Sequence, residues 1–197
     1  MIRRMFSRSP RIAALVGAAV IACAVSCGSL TGVPASLPTT SDSGLVYAIN
    51  GAPPGAPSAL HVFSGTLQPA DANFAFDVAF DIDANGQVVV LPQRAVASGL
   101  ATTHTVALQT VSTSYDALVS APRSGYRADT ALVTTVNRVI VVQSQDANAC
   151  GVSLTGTTLY GKIVVTSVDV QARQLTIKYT TDPNCGFFSF AAGLPKD

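Results

Sequence analysis

The sequence predicts an all-β domain, an antiparallel β-sandwich ahead of a small closed barrel, with one short helix at most. Three observations carry this. Residues 74–82 alternate, with Phe74, Phe76, Val78, Phe80 and Ile82 on one side and Ala75, Asp77, Ala79 and Asp81 on the other, which is the period-two pattern of a half-buried strand. Asp83-Ala84-Asn85-Gly86 then supplies a turn through an Asn-Gly pair that tolerates positive φ, and Gln87 to Leu91 returns as a Val-rich strand, so residues 74–91 read as a hairpin. Beyond it, short apolar runs and turn signals alternate to the C-terminus with no repeat of fixed period, against a propeller or solenoid.

Further strands are expected at Leu60 to Thr66, His104 to Val111, Ala131 to Val136, Val139 to Ser144, Gly161 to Val170, Gln174 to Thr180 and Phe187 to Phe190. Each is rich in β-branched or aromatic residues and bounded by Gly, Pro, Asn, Asp or Ser. Gln171-Ala172-Arg173 makes a second hairpin connection. Helix has one place, Ser114 to Ser120 ahead of Pro122. An immunoglobulin-type core would want a Trp between two cysteines, and the chain has no Trp. Strands of about ten residues are too few for an outer-membrane barrel.

The 197 residues are 48% hydrophobic and only 12% charged, and all 11 acids are Asp. That composition is far from a disordered segment, and the length suits one domain. Four of the 12 basic residues, Arg3, Arg4, Arg8 and Arg11, precede an apolar run over residues 12–26; from residue 27 onward 8 Lys and Arg face 11 Asp, a net of −3. The basic residues of the body are thin and scattered, so no nucleic-acid footprint is expected.

The N-terminus has the order of an export signal: a basic stretch, an apolar stretch too short for a spanning helix of about 20 residues, then small residues before a cysteine. Ala24-Val25-Ser26-Cys27-Gly28 resembles the lipobox of bacterial lipoproteins, in which the cysteine takes a diacylglyceryl group and becomes the first mature residue. Ala24 stands where that family usually has a larger aliphatic residue, and Val20-Ile21-Ala22-Cys23 offers a second match. Cys27 is preferred to Cys23 because Gly28-Ser29 begins a polar tether. Arg3-Arg4-Met5-Phe6 also resembles a twin-arginine signal, with Ile2 where Ser or Thr is usual. The resemblance implies a membrane-anchored protein of the bacterial cell envelope, on its periplasmic or surface face. The segment Thr181 to Gly186 is similar to the ends of uncharacterised secreted bacterial lipoproteins, a resemblance that brings no activity with it.

The expected organisation is a signal peptide over 1–26, a lipid tether and Pro/Gly-rich linker over 27–58, and a single sandwich-like domain over 59–197. Gly28 to Gly44 is small and polar, and Asn50 to Ser58 holds three prolines, which suits loop or edge. Cys150 and Cys185 remain as a pair in a chain bound for an oxidising compartment, and a structural disulfide is the economical reading.

Motifs for chemistry are sparse. Asp81-Ile82-Asp83-Ala84-Asn85-Gly86 matches the first half of a calcium loop through Asp81, Asp83 and Asn85, but Pro92 stands where an EF-hand needs a bidentate Glu, so a hairpin turn is the better reading and no metal or other cofactor is expected. Asp77 and Asp81 share a strand face about 13 Å apart, beyond the spacing of paired glycosidase carboxylates. No Gly-x-Ser-x-Gly elbow is present, and His61 and His104 each fall in an alternating strand. Tyr115, Asp116, Arg123, Tyr126 and Arg127 form the most polar and aromatic loop stretch and are the first candidates for a binding surface. With no Trp to serve as a platform, Phe187, Phe188 and Phe190 are expected to pack against the disulfide. The functional expectation is a lipid-anchored, non-enzymatic binding or structural module for envelope proteins or saccharides. The alternatives are a small hydrolase using Asp and His, for which His61 or His104 must reach a Ser or Asp inside a pocket, and a calcium-supported binding domain.

Overall fold

A computed structural model describes residues 34–71, 75–97, 104–151 and 156–195. The signal peptide, Cys23, Cys27 and the first part of the tether lie outside the described residues, as do Phe74 and residues 72–73. The elements are β1 (Thr40–Tyr47), β2 (Ala59–His61), β3 (Thr66–Gln68), β4 (Val78–Ile82), β5 (Val88–Pro92), α1 (Gln93–Val96), β6 (Thr105–Val111), β7 (Arg127–Ala128), β8 (Leu132–Thr134), β9 (Val139–Gln145), α2 (Ala147–Cys150), β10 (Thr158–Asp169) and β11 (Gln174–Asp182). They form two antiparallel sheets, one ordered β1-β11-β10-β9-β6-β7 and the other β3-β2-β4-β5-β8. The chain is an all-β sandwich and not a closed barrel.

The main core lies between the sheets, where Val78, Phe80, Ile82 and Val90 of the smaller sheet meet Ile140, Val142, Ile163, Val165 and Ile177 of the larger. Part of the larger sheet's other face is buried as well. Val139, Val141, Tyr160 and Val164 point outward and are covered by Tyr115, Leu118 and Ala121, from the excursion between β6 and β7, and by Phe190 of the C-terminal segment. Double burial explains why Val139-Ile140-Val141-Val142 is a continuous apolar run, the pattern of a strand covered on both faces.

The expected hairpin forms from β4 and β5, with Ile82 opposite Val88. Gly86 takes φ 76° in its turn, a conformation that costs glycine little. The predicted strand from residue 74 is shorter than its alternation suggests. Phe76 packs with Ala59 and Ala79 on the far side of the smaller sheet, Asp77 sits on a bend and the regular phase begins only at Val78. Leu60 to Thr66 is broken in two: Gly65 N–H donates to the His61 carbonyl, closing a turn between β2 and β3.

Part of the expected linker is a strand. β1 pairs with β11 over eight rungs, from Thr40 opposite Thr181 to Tyr47 opposite Gln174. Its first residues, Thr40 to Ser43, are polar as suits an edge strand, Thr40 and Thr181 sharing a hydrogen bond at 3.0 Å and Ser41 and Thr180 one at 2.7 Å, while Val46 enters the main core. The composition that reads as tether is therefore that of an edge strand whose outer residues meet water.

Two helices of four residues form where neither was expected, and Ser114 to Ser120 makes only a single turn, Leu118 N–H donating to the Ser114 carbonyl. In a longer helix the Leu118 carbonyl would need the N–H of residue 122, which is Pro. Lys162 supplies a donor instead, its Nζ reaching the Leu118 carbonyl at 2.9 Å. α2 carries signals that were legible, an Asp146 side chain accepting from Asn148 N–H and Ala149 N–H and Gly151 after its last residue. Phe187 to Phe190 contributes one bridge, Ser189 opposite Ser120, instead of a strand.

Candidate functional site

The most polar cluster in the core lies at one end of the sandwich. The bend before β4 turns Asp77 inward, where it meets Ser144 from the inner face of β9 and His104 just ahead of β6. Asp77 is 1% exposed, Ser144 fully buried and His104 9% exposed. Ser144 Oγ donates to Asp77 Oδ1, His104 Nε2 lies 3.2 Å from the same oxygen, and Val62 N–H donates to Oδ2. Burial pushes the Asp77 carboxyl up, but the hydrogen bonds from His104, Ser144 and Val62 outweigh it and the net direction is down. Burial likewise pushes the His104 imidazole down, while the hydrogen bond and charge of Asp77 hold it above its ordinary value. The two shifts have the signs expected of a buried pair in which each group favours the charged form of the other.

This places Asp77 in the core and not on a shared face with Asp81. It also brings a Ser, a His and an Asp together, which no linear spacing indicated. The order of contacts is not that of a nucleophile site. There the imidazole lies between hydroxyl and carboxylate and takes the hydroxyl proton; here the carboxylate lies between the other two and the Ser144 proton is directed onto it. His61 is elsewhere, its Nδ1 2.8 Å from Ser64 Oγ. Neither histidine lines any of the three clefts described below.

The five residues of the expected binding loop do not form one surface. Tyr115 is buried on the outer face of the larger sheet, its hydroxyl 2.7 Å from Thr180 Oγ1, and burial, against that hydrogen bond, raises its pKa to about 12. Tyr126 donates to the Pro122 carbonyl at 2.9 Å and its ring lies 6.3 Å from that of Tyr160. Asp116 pairs with Lys178 at 2.9 Å. The Arg123 guanidinium stacks 4.3 Å over Phe188, which in turn lies 4.8 Å from Tyr160. Phe188 and Phe190 thus belong to the outer face of the sheet, whereas Cys150 and Cys185 pack on the main core. Tyr115 is buried and Tyr126 half-buried, and both hold the loop down on the sheet.

Arg123 and Arg127 do reach clefts. Arg127 lines one of about 540 Å³ between β6, β7 and β8, with Gln109, Thr110 and Thr130. Arg123 lines another of about 540 Å³ with Val119, Gly186 and Phe188. A third, of about 250 Å³, lies at the opposite end of the sandwich between Gly86, Val136 and Val170.

The half calcium loop is occupied by its own chain. Asp83 Oδ1 accepts from Asn85 N–H and Gln87 N–H, both at 2.8 Å, and Asp81 is held by Arg173 at 2.8 Å and by the Asn50 side chain. Among the described residues no group of three His, Cys, Asp or Glu stands ready to hold a metal ion. Cys150 and Cys185 are joined, with Cα atoms 5.7 Å apart.

Beside that disulfide the chain is strapped where it enters the domain. Asn184 Oδ1 accepts from Ser36 N–H and Leu37 N–H, each at 3.0 Å, and its Nδ2 donates to the Leu37 carbonyl at 2.7 Å. Asp182, fully buried, accepts through Oδ1 from both the backbone and the side chain of Asn184, while its Oδ2 has no hydrogen-bond partner among the described residues. Burial, opposed by those bonds, pushes its carboxyl up. Both fall in the Thr181 to Gly186 segment noted in the sequence, where neither was given a role.

No protein-family model, curated protein or solved structure matches this chain.

Proposed function

We propose that the chain is an exported protein held to a membrane of the bacterial cell envelope by lipid on Cys27, presenting a rigid sandwich as a non-enzymatic binding or structural module. Envelope proteins or saccharides are the partners proposed for it. The anchoring part rests on Ala24-Val25-Ser26-Cys27-Gly28. The observation that carries the non-enzymatic part is the direction of the Ser144 hydroxyl, which is spent on Asp77 inside the core. Groups able to do chemistry are consumed as internal structure, and the clefts at the sheet edges are left for recognition.

Expression in a bacterial host with a labelled fatty acid tests the anchor. Label and membrane association should be lost in Cys27→Ser and kept in Cys23→Ser; the reverse result moves the anchor to Cys23.

The hydrolase reading keeps one supporting fact, that His104 reaches Asp77 and Asp77 reaches Ser144. A fluorophosphonate probe should leave the folded protein unlabelled, and labelling lost in Ser144→Ala would favour the hydrolase. For the calcium reading, 1 mM calcium on a micromolar site would add about 4 kcal/mol of stability. Because Asp81 and Asp83 are already engaged, no shift of Tm between calcium and EDTA is expected.

A further inference from the structure

The cleft that Arg127 lines is the lateral opening between the two sheets, and its walls follow from the register. Arg127 pairs with Leu108 across β7 and β6, and cross-strand partners share a face, so its side chain leaves β7 on the side where Leu108 enters the main core. Thr110, two residues beyond Leu108, lies on the same face. Leu132 of β8 packs on that core from the smaller sheet. Because β7 has two residues and β8 three, the sheets stay open here over about 540 Å³, within the size range of small-molecule sites. Asp129 is the one acid in the segments 108–110 and 125–133 that supply the walls, and both its carboxylate oxygens are engaged. Oδ1 accepts from Val106 N–H at 3.3 Å and Oδ2 pairs with Arg94 at 2.8 Å. The Arg127 guanidinium has no ion pair or hydrogen bond among the described residues. Thr130 Oγ1 donates to the Ala128 carbonyl at 2.9 Å, so what it offers a ligand is an acceptor.

We infer that this cleft takes a carboxylate-bearing sugar, the uronate unit of an acidic saccharide. The inference rests on the binding reading above and names the ligand of one of its clefts. An unpaired guanidinium holds a carboxylate through two parallel N–H donors. Thr130, its proton already spent, suits a ligand that donates, which a sugar hydroxyl does and a bare carboxylate does not. The Thr110 hydroxyl and the Gln109 amide are further partners for ring hydroxyls, and Leu132 meets the C–H edges between them. No aromatic side chain is among the described residues that line the cleft, so no ring stacking adds to the ion pair, and binding should weaken as salt rises.

The test is a titration of the full chain in detergent micelles with methyl glucuronide, methyl glucoside and acetate, followed by amide NMR. Methyl glucuronide should shift amides within 108–110 and 125–133 and bind about ten-fold or more tighter than either control, the effect of one charge-assisted contact. Arg127→Gln, a change at an exposed position, should remove that advantage and leave the glucoside unchanged. Thr130→Val should weaken the glucuronide and leave acetate unchanged, and the spectra without ligand show that both variants stay folded. Acetate binding as tightly as the glucuronide makes the cleft a simple anion site and overturns the inference. Equal binding of the glucoside, saturable shifts elsewhere, no saturable shift, or full affinity in Arg127→Gln overturns it as well. The anchored reading is judged apart from this, by fatty-acid label on the same preparation. Binding without label supports the cleft while the anchor falls, and label without binding overturns the cleft while the anchor stands.

Discussion

Lys162 donates through Nζ to the carbonyl oxygen of Tyr115 at 2.6 Å and lies 4.3 Å from the centroid of the same residue's ring. One buried ammonium therefore fixes both the backbone and the side chain of the excursion that covers the outer face of the larger sheet. Burial lowers its pKa.

Lys162→Met should keep the volume but leave the Tyr115 and Leu118 carbonyls without this donor, at a cost of about 2 to 4 kcal/mol. Denaturant unfolding should show the loss. Hydrogen exchange should place its first effect in residues 112–126, with β4 and β5 unchanged; a uniform loss would mean that the excursion and the core unfold as one unit.

Asp77 and His104 make stability depend on pH in a stated direction. The raised pKa of His104 means that its stabilisation is fully present below the unfolded value of 6.5 and is lost as pH rises through the folded value. The lowered pKa of Asp77 acts above the unfolded value of 3.8 and fails as pH falls through its folded value. Tm should therefore decline as pH rises above about 6.5, and His104→Gln should lower it below that range and flatten the decline. A wild-type Tm constant from pH 6 to pH 9 would contradict the paired, charged state.

Asp182 has the opposite sign. Its raised folded pKa gives stability that is fully present below the unfolded value of 3.8 and is lost as pH rises through the folded value. Asp182→Asn keeps an acceptor for Asn184 and removes a buried charge, so it should raise stability at pH 7 by about 1 kcal/mol. A lower Tm in this variant would show that the carboxylate has a partner of its own.

The disulfide closes a loop across 35 residues, and reduction should cost about 3 to 4 kcal/mol on the chain-entropy account. Circular dichroism of the reduced protein at low temperature should remain all-β, because the core residues between the sheets do not depend on the bridge for their alternation.

What was legible in the sequence was what local physics controls. Val78, Phe80 and Ile82 alternate because one face of β4 meets the core, and Asn85-Gly86 marks its turn. That the excursion covers a second face of the sheet was not legible, because Tyr115, Asp116, Arg123 and Tyr126 look amphipathic in line and nothing local says that this face needs covering. Lys162 resembles a surface lysine until Pro122, forty residues earlier, is seen to leave a carbonyl short of a donor. Asp77 was placed on one strand face with Asp81 by extending a period of two through a bend. His104 and Ser144 had no sequence spacing that could reveal their meeting at Asp77, since three separate elements bring them there.

The strap at Asn184 bears on how the domain would carry mechanical load. A pull on the chain ahead of Pro34, directed outward along β1, first meets the Asn184 hydrogen bonds beside a disulfide and then all eight rungs between β1 and β11 at once. Loaded in this way the ladder is sheared as a block and not peeled rung by rung. Drag or crowding on an anchored copy would then be borne first by the edge of the sandwich, through the β1 and β11 ladder.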